Sequence, residues 1–188
     1  MNKNFILSLL MFCLVLTSRA SADHLEGDQL AKGRVEHIFC GVNVYKTNAS
    51  EAIKIYGKPT TIEIVPLKDS VYPPAGDKNY IWKKPGLKME LYTGFYIEHQ
   101  KTIESVASGV DVWGEKPRGQ IGVTGQGLVL GDSIAKVEKI YGKKFYKNKN
   151  VNSGLTYVEV QWQDGTQLMI DFNRNEKINH MQLAAETE

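Results

Sequence analysis

The chain holds two cysteines, Cys13 and Cys40, in 188 residues. A disulfide scaffold needs pairs, and Cys13 sits inside an N-terminal apolar run, so Cys40 stands alone and a packed core must hold the fold. Histidine is also scarce. His24, His37, His99 and His180 are widely spaced, with no HxH or HxxxH pair to set two metal ligands side by side. No two carboxylates stand out as an acid–base pair, and the scattered Asp and Glu read as solvated faces. Gly122, Gly125 and Gly127 have the wrong spacing for a dinucleotide fingerprint, and no βαβ unit surrounds them. The pattern therefore offers no metal site, no cofactor site and no catalytic grouping.

A long hydrophobic run is missing too. Phe5–Thr17 is apolar but too short to cross a bilayer and remain there. With Lys3 before it and Ala20-Ser21-Ala22 after it, residues 1–22 read as a secretory signal cut after Ala22, which predicts a periplasmic or secreted protein. The alternative, an uncleaved anchor, sits poorly with Arg19 and the small-residue pattern so close behind. Met11 and Phe12 are bulky where a lipid-attachment cysteine needs small neighbours, so Cys13 is expected to leave with the signal. Charge of one sign is absent as well. The chain has 23 Lys and Arg against 21 Asp and Glu, and Lys3 and Arg19 leave with the signal. A near-neutral mature chain gives no reason to expect nucleic acid as a partner. Its remaining ~166 residues suffice to bury roughly 70% of the unfolded surface.

What the chain has is a repeat. Lys46–Lys58 (KTNASEAIKIYGK) is rewritten as Gly131–Lys143 (GDSIAKVEKIYGK). Thr47-Asn48 and Asp132-Ser133 are cap-forming residues, and the apolar positions after them recur at helical spacing. Gly57 and Gly142 then allow the left-handed turn that ends a helix. After the first helix, Thr60–Val65, Asn79–Lys83, Leu87–Tyr92 and Thr102–Ala107 read as strands. After the second, Phe145–Lys147, Leu155–Trp162, Thr166–Phe172 and Lys177–Leu183 do. Trp82 corresponds to Trp162 and Gly86 to Gly165, and Asp164-Gly165 is a hairpin signal. The expected fold is α+β: two tandem modules, each a short helix followed by a four-stranded antiparallel sheet, with the helices on one face.

The segments follow from this. Residues 23–41 are expected to form a leader, partly helical from Leu25, Leu30, Val35 and Ile38; residues 42–108 are the first module, the Gly-rich 109–127 a linker whose Val110, Val112 and Trp113 either finish the first sheet or pack at the junction, and 128–188 the second module. Pro66–Lys78 is an insertion in the first module, a surface loop with Tyr72 at its tip. Tyr72 is either a probe for a partner's cleft or part of a tolerated insertion. Cys40 is either a small buried hydrophobe or a free reactive thiol.

Gly131-Asp132-Ser133 matches the GDS block of the GDSL hydrolases, with Ser133 as nucleophile. Only 55 residues follow it, however, and the cap reading explains the same residues. Strand alternation says more. Lys88, Glu90 and Tyr92 point away from Leu87, Met89 and Leu91. Tyr157, Glu159 and Gln161 point away from Val158, Val160 and Trp162, and Met169 and Asp171 away from Leu168, Ile170 and Phe172. The first set in each case makes a sheet face of mixed Tyr, Met and charge. That face is either a protein-binding surface, to which Tyr72 would add, or an ordinary solvated one.

The tandem IYGK helices, each followed by strands with a W-x-x-x-G or W-x-x-G hairpin from about Gly41 to Leu183, resemble the β-lactamase inhibitor protein. They are also similar to the small outer-membrane assembly lipoprotein module. The resemblance implies strands joined into a long curved sheet, helices on its convex side and a concave side that grips a partner protein. It implies a non-enzymatic binding module, acting as an inhibitor or immunity-type protein or as an envelope-assembly factor. The chain departs from both families in lacking the inhibitor's paired cysteines and the assembly protein's lipid-attachment cysteine.

Overall fold

The computed structural model describes residues 31, 34–65, 77–94, 97–98, 101–102, 106–149 and 153–185. The signal segment 1–22, most of the leader, Tyr72 with the 66–76 stretch, His24 and His99 lie outside them. In chain order the described elements begin with β1 (Ile38–Phe39), β2 (Val42–Asn43), α1 (Ala49–Tyr56), β3 (Thr61–Val65), β4 (Asp77–Lys84) and β5 (Leu87–Gly94). The short β6 (Ile97–Glu98) and β7 (Lys101–Thr102) and the long β8 (Val106–Gly114) follow. The remainder is α2 (Ile134–Tyr141), β9 (Tyr146–Lys149), β10 (Thr156–Gln161), β11 (Gln167–Phe172) and β12 (Ile178–Ala184).

Eight of these strands make one antiparallel sheet in the order β3-β4-β5-β8-β12-β11-β10-β9. This corrects the expected α+β fold of two modules, each a helix followed by its own four strands: the chain is mostly β, one large sheet with two eight-residue helices among the described residues. The reason is the cost of edges. Two separate sheets would leave four rows of unpaired N–H and C=O groups. Pairing β8 with β12, from His180↔Trp113 to Ala184↔Gly109, removes two of those rows. Gly109–Gly114, expected in the linker, are instead the second half of β8, where Val110 and Val112 alternate with Asp111 and Trp113.

One face of the sheet is core. In register across six strands run Trp82, Met89, Val112, Met181, Ile170 and Val158, none more than 3% exposed. Burying each such side chain contributes about 1.5–3 kcal/mol relative to leaving it in water. The two helices lie over this face. Both helices end at the repeated glycines with positive φ, Gly57 at 78° and Gly142 at 84°, but ψ of −173° and −166° makes these extended glycine-only turns and not the left-handed cap expected. The repeated tyrosines have a packing purpose, since Tyr56 meets Trp82 edge-on at 5.8 Å and Tyr141 meets Trp162 edge-on at 5.7 Å. The N-termini differ. Asn48 and Glu51 form a complete capping box, whereas the Ser133 side chain makes no cap hydrogen bond, and Asp132 Oδ2 accepts from Val129 N instead.

The rest of the helix-side layer is the N-terminal segment laced to the Gly-rich segment. Residues 34–37 carry no helix, correcting that part of the leader, and β1 and β2 form a hairpin. Glu36, 2% exposed, is buried because its carboxylate is satisfied: it accepts from Ile38 N, Gln126 N and the Tyr141 hydroxyl. Cys40 is fully buried and accepts from Gly122 N at 3.2 Å. Burial pushes its thiol up to about 12, so the inert reading of Cys40 fits its surroundings.

Candidate functional site

The sheet face opposite the helices is the candidate site, and pairing register lays it out in rows. One row runs Lys88, Trp113, His180, Asp171 and Tyr157 across β5, β8, β12, β11 and β10. The next runs Ile81, Glu90, Asp111, Gln182, Met169 and Glu159. Tyr92 lies in a third row, across from Gly109, and Gln161 pairs with Gln167 at the other end of that row. The eight candidate surface residues within the described chain, Lys88, Glu90, Tyr92, Tyr157, Glu159, Gln161, Met169 and Asp171, thus share one face. The ninth, Tyr72, lies outside the described residues.

Alternation along β5, β10 and β11 was enough to group those eight. It did not reveal the centre of the face, which is Asp111 and Trp113 on β8 with His180 and Gln182 on β12. Asp111 and Trp113 lie in the stretch expected as a linker, and no motif around His180 marks it. The signal available was the same alternation, against Val110 and Val112 and against Met181 and Leu183.

At that centre the polar side chains satisfy one another in a chain across the face. Lys88 pairs with Glu90 and also lies 4.5 Å above the centre of the Trp113 ring. The Tyr92 hydroxyl is shared between Glu90 Oε2 at 2.7 Å and Asp111 Oδ2 at 2.9 Å. Burial pushes the Tyr92 hydroxyl up, and the two carboxylates push it further, so it stays a donor. His180 stacks on Trp113 with ring centres 4.7 Å apart and planes 10° apart. Its Nδ1 lies 2.6 Å from Asp171 Oδ2, and its Nε2 3.7 Å from Asp111 Oδ1, close enough for an ion pair and too far for a hydrogen bond. Burial alone would lower the pKa of this imidazole. Asp111 and Asp171 outweigh burial and raise it to about 9, so the ring is a cation at neutral pH.

The arrangement can hold charge and present it. It does not place three metal ligands together: no group of three or more His, Cys, Asp or Glu suited to a metal occurs among the described residues. Ser133 is away from this face, at the start of α2, where its backbone bridges Lys177 and no described histidine bonds its hydroxyl.

No family model matches the chain, and no curated protein does. Two solved structures are similar to it. One is a DUF4309 family protein (YjgB) from Bacillus subtilis, at 15% identity and a TM-score of 0.41, covering 78% of this chain and 83% of that one. The other is an extracellular protein containing a SCP domain from Bacillus anthracis, at 13% identity and a TM-score of 0.44, covering 82% of this chain. The match spans 49% of that second protein. Likeness at these levels transfers neither fold nor activity, so the chain's own sheet face is the basis for any functional reading.

Proposed function

We propose that the chain is a periplasmic or secreted, non-enzymatic protein-binding module that grips its partner with the sheet face opposite the helices. The observation that carries this reading is the grouping on one face of Lys88, Tyr92, Trp113, His180, Asp171 and Tyr157, an aromatic and charged set that the apolar core does not require. Tyr, Trp and Met beside a few charges are what interface centres favour over ordinary surface. The N-terminal run ending in Ala20-Ser21-Ala22 supports export, and the likeness to the β-lactamase inhibitor protein supports binding by a sheet face. Within this class the partner is either a soluble enzyme, which makes the chain an inhibitor or immunity-type protein, or an envelope-assembly complex.

The test is photo-crosslinking in an envelope fraction from two positions. A crosslinking residue at Tyr157, on the face, is expected to capture one stoichiometric protein; the same residue at the exposed Lys139 of α2 is expected not to. A soluble enzyme in the captured band supports inhibition, and outer-membrane machinery supports assembly. Equal capture from both positions, or none from Tyr157, defeats the proposal.

A further inference from the structure

We infer that the corner formed by the end of α2 and the edge strand β9 seats the chain on the surface of an anionic phospholipid bilayer. This goes beyond the protein-binding reading and uses the other side of the sheet. The chain is close to neutral as a whole, with 23 basic and 21 acidic residues, so a cluster of one sign reflects placement rather than overall charge. Residues 136–149 hold six lysines, Lys136, Lys139, Lys143, Lys144, Lys147 and Lys149, against one acid, Glu138. All but Lys136 are exposed among these lysines. Lys139, Lys143, Lys147 and Lys149 meet no carboxylate among the described residues.

Topology gathers these cations on one side. α2 lies over the apolar face of the sheet with Lys139 in its last turn, and Lys143 follows its terminal Gly142. In β9, Lys147 and Lys149 pair with Val158 and Thr156 of β10, so they project to the side on which α2 lies, and these partners bring no carboxylate. β9 is the last strand in the sheet order and is exposed along its whole length. A surface that meets the sheet edge-on touches both sides of such a strand, so Tyr146, 38% exposed, joins the lysines.

The repeat supplies an internal comparison. β3 follows α1 as β9 follows α2, and it is the opposite edge of the same sheet. Its residues, Thr61, Ile62, Glu63, Ile64 and Val65, include no cation. Equivalent packing therefore does not demand lysine at this place. Edge lysines also deter pairing with another strand, but that protection asks for nothing beyond β9, whereas the cations here run back through Lys143 to Lys139. Lysine stems lie along apolar surface while their ammonium groups reach phosphate, and a tyrosine ring suits the level of the headgroups. Each lysine near an anionic bilayer strengthens binding about fivefold.

The probe is vesicles of phosphatidylcholine with about one-third phosphatidylglycerol, compared with phosphatidylcholine alone. The chain from Asp23 onward keeps every described residue and omits the apolar run Phe5–Thr17, which would partition by itself. It is expected to sediment with the anionic vesicles at least tenfold better than with the neutral ones, and to loosen several-fold between low and physiological salt. Lys147→Glu with Lys149→Glu is expected to weaken binding at least tenfold, and Tyr146→Ser several-fold. Lys54→Glu with Lys58→Glu makes the same change of net charge on exposed lysines of the first repeat and is expected to weaken it less than threefold. Circular dichroism checks that the variants stay folded; should the β9 pair unfold, Lys139→Gln with Lys143→Gln, expected to lose at least fivefold, takes its place. Equal loss from the two repeats, or equal binding to both kinds of vesicle, overturns the inference. So does binding of soluble polyphosphate as tightly as vesicles with Tyr146→Ser harmless to both, because that result describes a polyanion site. The Tyr157 crosslink reports on the other side of the sheet, so either reading can fail while the other stands.

Discussion

At the scale of single residues, His180 is the group whose chemistry departs most from its ordinary behaviour. Its folded pKa of about 9 stands above the ordinary imidazole value of 6.5, so folding takes up a proton in between. The stabilisation is fully present below about 6.5 and is lost as pH rises through about 9. Asp171 is half in solvent and therefore screened, which holds the loss to on the order of 2 kcal/mol. Urea unfolding at pH 6 and pH 9.5 checks this: the wild type is expected to weaken across the interval, and His180→Gln to show a flatter profile. An imidazole resonance that titrates near 6.5 in the folded chain would contradict it. Nothing local to the stretch Asn179-His180-Met181 announces this behaviour. The partners, Asp111 and Asp171, come from two other strands, and only pairing brings them to the ring.

At the scale of elements, the two helices are near copies with unequal starts. Asn48 and Glu51 each satisfy the other's backbone N–H, so Asn48→Ala is expected to cost about 1 kcal/mol. Ser133 contributes no such bond, and Ser133→Ala is expected to stay within about 0.5 kcal/mol. Thermal or urea denaturation of the two variants measures the difference, and equal losses would contradict the asymmetry. The positions and ends of both helices were legible, because apolar spacing, cap residues and a terminal glycine are local signals. Which candidate cap closes its bond was not legible: the residues Asp132 and Ser133 are as suitable as Thr47 and Asn48. Asp132 instead turns to Val129 N, a choice made by how the preceding segment arrives.

At the scale of the whole molecule, the β8–β12 seam decides the architecture. It joins strands on both sides into one sheet over one core cluster, so the chain is expected to unfold as a unit. Circular dichroism and tryptophan fluorescence should give coincident transitions. Val112→Asp, which buries a charge at the seam, should cost several kcal/mol of stability and so lower the single midpoint rather than split it. Two separated transitions would show that the halves fold independently.

Period-two alternation told which face of each strand is apolar, and the 3.6-residue spacing told where the helices run, because both are properties of a short stretch of chain and its neighbours in sequence. Those signals sufficed to group Lys88, Glu90, Tyr157 and Asp171 as outward-facing. They carried no information on which strand lies beside which. The placing of Asp111 between Glu90 and Gln182, the stacking of His180 on Trp113, and the β8–β12 seam that makes one sheet are consequences of long-range pairing. The free energy of covering strand edges, summed over the whole chain, settled those.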